Sequence, residues 1–376
     1  MKKLLLALLA ASSIGAVQAQ SSVSVYGILD VGYSGISTRA SSTTTTTKTQ
    51  TNKFDQSAES TSRLGFKGSE DLGGGTSAFF TAEFQLYPQD ATLTGNTNGG
   101  LLNRQSFVGL KQAGYGQFAL GTQYTPVFNA VAATDPGQTN NAVGSVIYPA
   151  NGSDVTTSAF TIRSSNALTV QSDSFKGVRL GGMYAANNKD ATQTGPTTGG
   201  TTNVNGYGLT ADYTWNKLYA VAAYQSFRNE TTSSSTATPV ATAMTNNNGT
   251  NVVDGQTYVG TTYDFGILKA YASWVNRKAT SVLNSNQFAK RQGQQIGVRA
   301  FVTPTVETWA SVGNGRYTAY GANQPTANFT GYQAGANYYL SKRTNLYGIF
   351  GSTQTSSTSN GAAGANQYAM GVRHTF

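Results

Sequence analysis

The sequence predicts an all-β fold: a transmembrane, antiparallel, up-and-down β-barrel of about sixteen strands. Three observations carry this. Alternating stretches of about ten residues recur along the chain, each bounded by turn residues or by Ser, Thr, Asn and Gly. Charged residues make up only 11% of 376, against about a quarter in a soluble domain, while 21 tyrosines and 17 phenylalanines are present. Mean hydropathy is −0.30, and beyond the first twenty residues no apolar run approaches the roughly eighteen residues of a spanning helix. A closed sheet pairs every backbone group without exposing an edge to lipid, so one face can be apolar and the other wet.

The two ends agree with this. The start, MKKLLLALLAASSIGAVQAQ, has Lys2 and Lys3, an apolar run from Leu4 to Ala11 and a small-residue site ending at Ala19. This predicts a cleaved signal peptide over 1–19 and a single barrel domain over 20–376. Its two lysines and no acid lower the formal charge from +9 to +7 in the mature chain. The end, QYAMGVRHTF, alternates Tyr368, Met370, Val372, His374 and Phe376 against polar or small residues. With no cysteine and His374 as the sole histidine, disulfides, thiol chemistry, a metal centre and a cofactor are not expected. The export signal argues against nucleic acid as the partner of the basic charge.

The elements follow in order. SVSVYGILDVGY puts Val23, Val25, Leu29, Val31 and Tyr33 on one face and Ser24, Tyr26, Asp30 and Ser34 on the other. The Thr-rich segment Ser37–Thr61 reads as an external loop. SRLGFKGSE sets Leu64 and Phe66 outward and Arg63 and Lys67 inward. After a turn at Asp71–Gly75, TSAFFTAEFQL sets Phe80, Phe84 and Leu86 outward and Thr81, Glu83 and Gln85 inward. QSFVGLK and QFALGTQY flank a turn at Ala113–Gly116. Further pairs meet at Asn216–Lys217, Gly266, Thr303–Thr305 and Ser341–Arg343 before the terminal strand. The longer connections at Lys189–Asn205, Asn229–Asp254, Ala279–Gln292, Thr318–Thr330 and Thr353–Ala365 are polar. Short turns are therefore expected at the periplasmic end and long loops outside. Two stretches break the pattern. Phe107 lies opposite Val108 and Leu110, as in a strand buried on both faces. Trp309 shares a face with Glu307, which suggests a bulge or a break in phase.

A barrel of this size encloses an aqueous channel, whose behaviour depends on what narrows and charges it. The connection at 124–159 holds apolar residues (Val127, Phe128, Val143, Val146, Ile147) that a solvated loop would not need. It is expected to fold into the barrel and pack on the wall. A charge on the lipid face costs about 2–4 kcal/mol at the midplane. By that parity Arg63, Lys67, Arg179, Lys269, Arg299 and Arg373 point inward, opposed by Asp30, Glu83 and Asp212.

RLGFKGSEDLGGG (Arg63–Gly75), RQSFVGL (Arg104–Leu110), LGTQYTP (Leu120–Pro126) and Arg163 together resemble the Gram-negative general porins, most closely the beta-proteobacterial and neisserial branch. The resemblance spans nearly the whole mature chain. It implies a homotrimer of sixteen-stranded barrels in the outer membrane, with the third external loop folded inward as a constriction. Arg63 and Arg163 would be wall arginines and Asp135 the loop acid. Thr122 stands where the family carries a Gly-Arg pair, so a weaker transverse field is implied. The resemblance and the terminal pattern together mark Phe376 as a signal read by the barrel assembly machinery.

The expected function is passive diffusion of ions and small hydrophilic solutes, mildly favouring anions because the mature chain is basic and the loop acid-poor. An enzyme within a barrel would need a base beside a nucleophile, and a single histidine in the last strand supplies none. An adhesin or structural anchor is the alternative, suggested by the Thr- and Asn-rich loops.

Overall fold

Backbone pairing carries the wall well beyond its apolar band. The computed structural model of the chain describes residues 22–41, 44–95, 100–149, 159–237, 249–320, 326–357 and 362–376, so the expected signal peptide lies outside the described residues. The strands are β1 (Ser22–Ser41), β2 (Thr46–Gln56), β3 (Arg63–Gly73), β4 (Thr76–Gln85), β5 (Leu102–Gln112), β6 (Gly116–Tyr124), β7 (Arg163–Ser172), β8 (Val178–Ala186), β9 (Lys189–Gly195), β10 (Thr198–Trp215), β11 (Leu218–Thr231), β12 (Val252–Asp264), β13 (Lys269–Ser281), β14 (Phe288–Thr303), β15 (Val306–Tyr320), β16 (Ala327–Tyr339), β17 (Thr344–Ser357) and β18 (Ala362–Thr375). Sixteen of these form a closed antiparallel ring: β1, β3 to β8, β10 to β18, and back to β1. The closing pair runs from Ile28↔Thr375 to Ala40↔Ala363. Reciprocal backbone bonds of 3.1 Å between Gly27 and Phe376 extend it by one step. The ring of Phe376 lies over Gly27, where a Cβ would meet it at 2.3 Å.

β2 and β9 are additions to the ring. The segment expected to be a loop at Ser37–Thr61 is mostly a hairpin: β1 continues to Ser41, and β2 runs back along it from Thr46 to Gln56. β3 then pairs with the lower half of β1, from Arg63 to Ser69. β2 and β3 are thus one stave interrupted by residues 57–62. The connection at Lys189–Asn205 likewise contains β9 and the start of β10. Polarity misplaced these ends because a strand projecting into water keeps its ladder bonds without an apolar face.

Face parity holds along most of the wall. Val25, Leu29, Leu120, Leu209, Ile296 and Val312 are exposed on one side, while Asp30, Glu83, Asp212 and Arg299 are buried on the other. Glu307 and Trp309 share that second face, and the register shifts beside them, where Phe301 pairs with Glu307 and Thr303 with Val306. Trp309 packs there with Ala58, Ala142 and Tyr347. Phe107 is explained from within: its ring meets Phe79 edge-on at 6.3 Å on the same face.

The third long connection joins β6 to β7 and contains one helix, α1 (Pro126–Thr134), absent from the sequence reading. Thr125 caps it, its hydroxyl accepting from the Phe128 N–H at 3.3 Å, and Pro126 occupies the first turn, where a missing N–H costs nothing. Val127 and Val131 are fully buried, packed with Ile147, Val221, Tyr258 and Val275. The connection lies against the side of the wall opposite the exposed apolar face. Wall glutamines meet its backbone in succession. Gln225 accepts from Val127 N–H (3.0 Å), Gln295 from Val146 N–H (2.8 Å) and Gln367 from Val143 N–H (3.0 Å). Gln333 donates to Ala142 O (2.7 Å) and Val143 O (2.8 Å). Between the glutamines the chain rides on glycines: a Cβ on Gly260 would meet Thr134 Oγ1 at 2.4 Å, and one on Gly297 would meet Pro136 at 2.5 Å. Only a wall without side chains at these points admits the backbone so closely.

Candidate functional site

Six neighbouring strands each place one polar side chain in a row on the inner wall: Tyr26, Arg63, Glu83, Arg104, Tyr124 and Arg163. Glu83, 3% exposed, is the hub. Arg104 Nε donates to its Oε1 at 2.8 Å and Tyr26 OH to its Oε2 at 3.1 Å, with Arg63 Nη1 at 3.8 Å from Oε1. Arg104 also donates to Tyr124 OH at 2.7 Å. Tyr124 pairs in register with Arg163 and stacks on Phe128 of α1 at 4.3 Å. Arg104 exerts like-charge repulsion on both Arg63 and Arg163. Two guanidiniums therefore hold one carboxylate, and a third, Arg163, ends the row. Among the described residues Arg163 forms no ion pair.

The structure brings Arg63, Glu83 and Arg163 into one row and adds Arg104, which sequence reading missed. Strict alternation back from Phe107 places Arg104 on the lipid face. A register shift at Glu83–Phe84 breaks the alternation and turns it inward. The cost of an arginine in lipid was the available signal that the phase had to break.

Thr122 requires a correction. It pairs with Ser106, and through Ala82 with Phe66, all on the outward face, and its hydroxyl donates to Ser165 Oγ at 3.2 Å. A shift at Gly121–Gln123 causes this. Gln123 takes the inward position instead, bonded to Ala119 O, Ala167 O and Thr169.

Two expected pore acids have their carboxylates committed elsewhere. Asp30 is wholly buried; it accepts from Glu59 N–H (2.9 Å), Ser60 N–H (2.7 Å) and Tyr347 OH (2.7 Å). It anchors the 57–62 excursion, which Arg63 also holds through Thr61 O and Ser60 Oγ. Asp135 sits at the C-terminal end of α1, 3% exposed, and accepts from Thr139 N–H (2.7 Å) and Gln295 Nε2 (3.1 Å). Burial holds its carboxyl above the ordinary range, against the pull of the Thr139 and Gly137 amides, Gln295 and Arg299. Asp135 therefore fastens the loop to the wall rather than opposing the arginine row. Lys67 is exposed, its ammonium 5.3 Å from the Tyr26 ring centre. The remaining inward cations are largely paired: Arg299 with Glu307 (2.6 Å), Arg179 with Asp212 (3.0 Å) and Arg373 with Glu59 (3.4 Å).

The excursion and the loop meet. Asn141 N–H donates to Ala58 O at 3.0 Å and its side-chain amide to Ser57 O at 2.7 Å. A continuous inner collar results, borne on wall amides, with the arginine row on the arc of wall from β3 to β7.

Comparison with known proteins gives a consistent picture. The profile of the Gram-negative porins matches residues 5–358. Outer membrane porin protein 32 of Delftia acidovorans is 26% identical over 388 residues, covering 99% of this chain and 95% of that protein. Major outer membrane protein P.IB of Neisseria gonorrhoeae is 34% identical over 147 residues, 39% of each chain. Among solved structures, the anion-selective porin from Comamonas acidovorans superposes with a TM-score of 0.64 at 21% identity, over 95% of this chain and 100% of its own. OmpT of Vibrio cholerae gives 0.64 at 14% identity, over 96% and 100%. At such identities the structural likeness establishes the fold.

Proposed function

We propose, for a chain that belongs to the Gram-negative porin family and is an outer-membrane channel rather than an enzyme, a water-filled route for ions and small hydrophilic solutes that mildly favours anions. The observation that carries the sign is the row of Arg63, Arg104 and Arg163 around the single carboxylate of Glu83. Rings and rows of charge set selectivity where a pore is narrow. The 124–159 connection is the constriction loop in this reading. Its described part presents Tyr124, Phe128 and Tyr148 near the row, while Asp135 is turned to the wall. The name of the Comamonas structure supports the same sign.

The resemblance extends the proposal to a homotrimer, whose subunit contact would include the outward face of β5 at Val108 and Leu110. The test is planar-bilayer conductance with reversal potential in a KCl gradient. Stepwise openings with chloride preference are expected, in threes for a trimer. Potassium preference overturns the anion reading, and a folded barrel without conductance overturns the channel.

A further inference from the structure

Three cations face outward on adjacent strands just beyond the apolar band, and no acid answers them. Along β13 to β15 the register runs unbroken from the exposed apolar level Ala272↔Ile296↔Val312 to Lys278↔Lys290↔Thr318, with Arg316 opposite Gln292. Each cation is an even number of residues from that level, so all three share the lipid-side face. The apolar level gives way to polar side chains at Gln294 and Asn314, joined by a 3.0 Å hydrogen bond. Arg316 stands four residues above that level and the two lysines six, roughly 13 and 20 Å along the strand. They lie toward the long connections, the external end of such barrels.

Lys278 and Lys290 are directly opposite, a cross-strand arrangement that repels. Among the described residues none of the three forms an ion pair. Nor can the chain readily supply one: between Phe265 and the C-terminus the only acid is Glu307, and Arg299 holds it on the inner face. Asp254 is held inside by Arg277. Aromatic rings frame the patch above. The Lys278 ammonium lies 4.3 Å from the Phe288 ring centre, and Phe288 meets Tyr320 at 4.7 Å.

We propose that Lys278, Lys290 and Arg316 form a binding site for the phosphate groups of a phosphorylated glycolipid in the outer leaflet. A phosphate placed among them relieves the repulsion and gains charge-assisted hydrogen bonds. The acyl chains then lie along the apolar strands below, and the sugars reach the Phe288–Tyr320 pair. The site rests on the membrane placement of the barrel, not on the anion route through it.

The experiment titrates detergent-solubilised protein with bisphosphorylated lipid A, dephosphorylated lipid A and phosphatidylglycerol, reading bound lipid by native mass spectrometry. The triple variant Lys278→Gln/Lys290→Gln/Arg316→Gln should bind bisphosphorylated lipid A about 100-fold more weakly than the native protein. Dephosphorylated lipid A should bind both proteins alike. Conductance and ion preference should be unchanged in the variant, which establishes that it is folded. Equal affinity of the two proteins overturns the site. Phosphatidylglycerol binding as tightly as lipid A also overturns it, in favour of a generic anionic surface. Should the triple variant fail to fold, single Lys290→Glu reads the same quantity, with at least a tenfold loss expected and an unchanged affinity against the proposal.

Discussion

Glu83 is held by two guanidiniums and a tyrosine, so its removal changes the field of the row by one full charge. Glu83→Gln should raise the chloride-to-potassium permeability ratio, and Arg104→Gln should lower it, both read from reversal potentials. A ratio unmoved by either change would remove this row from control of the pore. Arg104→Gln also leaves a buried carboxylate with only Tyr26 and the distant Arg63, a loss of about 3–5 kcal/mol that a lowered thermal transition would register. Asp135 carries the pH dependence of the loop. Its docked pKa lies above the ordinary value, so docking binds a proton. That contribution is complete below about pH 4 and is lost as pH rises through the docked value. Protease cutting within the loop should therefore increase from acid to neutral pH, and Asp135→Asn should flatten the slope. Arg63 and Glu83 were legible from the alternation along their own strands, and Arg163 only from the resemblance. Arg104 and Thr122 were not, since each adjoins a register shift, and one extra residue exchanges the two faces.

The seating of the β6–β7 connection depends on the fit between its chain and a track of wall glycines. Gly260→Val pushes a side chain into Thr134 at the end of α1, at a cost of about 1–3 kcal/mol of overpacking. We expect larger and noisier unit conductance from this variant with an intact barrel by circular dichroism; a native conductance would show that the loop tolerates the bulk. That the segment is packed was readable from Val127, Phe128, Val143 and Ile147. Its helix was also signalled, by Thr125–Pro126 ahead of apolar residues at 127, 128 and 131, but the strand rhythm on either side masked it. The seat itself was not readable, because glycine and glutamine on a wall strand look like ordinary lumen residues until the partner chain is in place. The hairpins of β2 and β9 escaped for a related reason: hydropathy reports where lipid ends, not where pairing ends.

At the scale of the whole barrel, closure rests on the β1–β18 seam. Phe376 completes the β1–β18 seam with two backbone bonds and covers Gly27 with its ring. Deleting it should reduce the yield of heat-modifiable folded barrel, read as a gel-mobility shift; an undiminished yield would show that the seam closes without it. Sixteen strands and their apolar face were evident from the alternation alone, since that pattern is the direct imprint of lipid on one side and water on the other. The wall's glutamine ladder has a consequence of a different kind. On the loop side its partners are mainly backbone amides, whereas the proposed ion preference rests on the arginine row. At about 1 M salt charges are screened beyond roughly 3 Å, but amide hydrogen bonds are not. Bore and preference are thus separately adjustable: in concentrated brine the channel should keep its calibre and become indifferent to the sign of what passes.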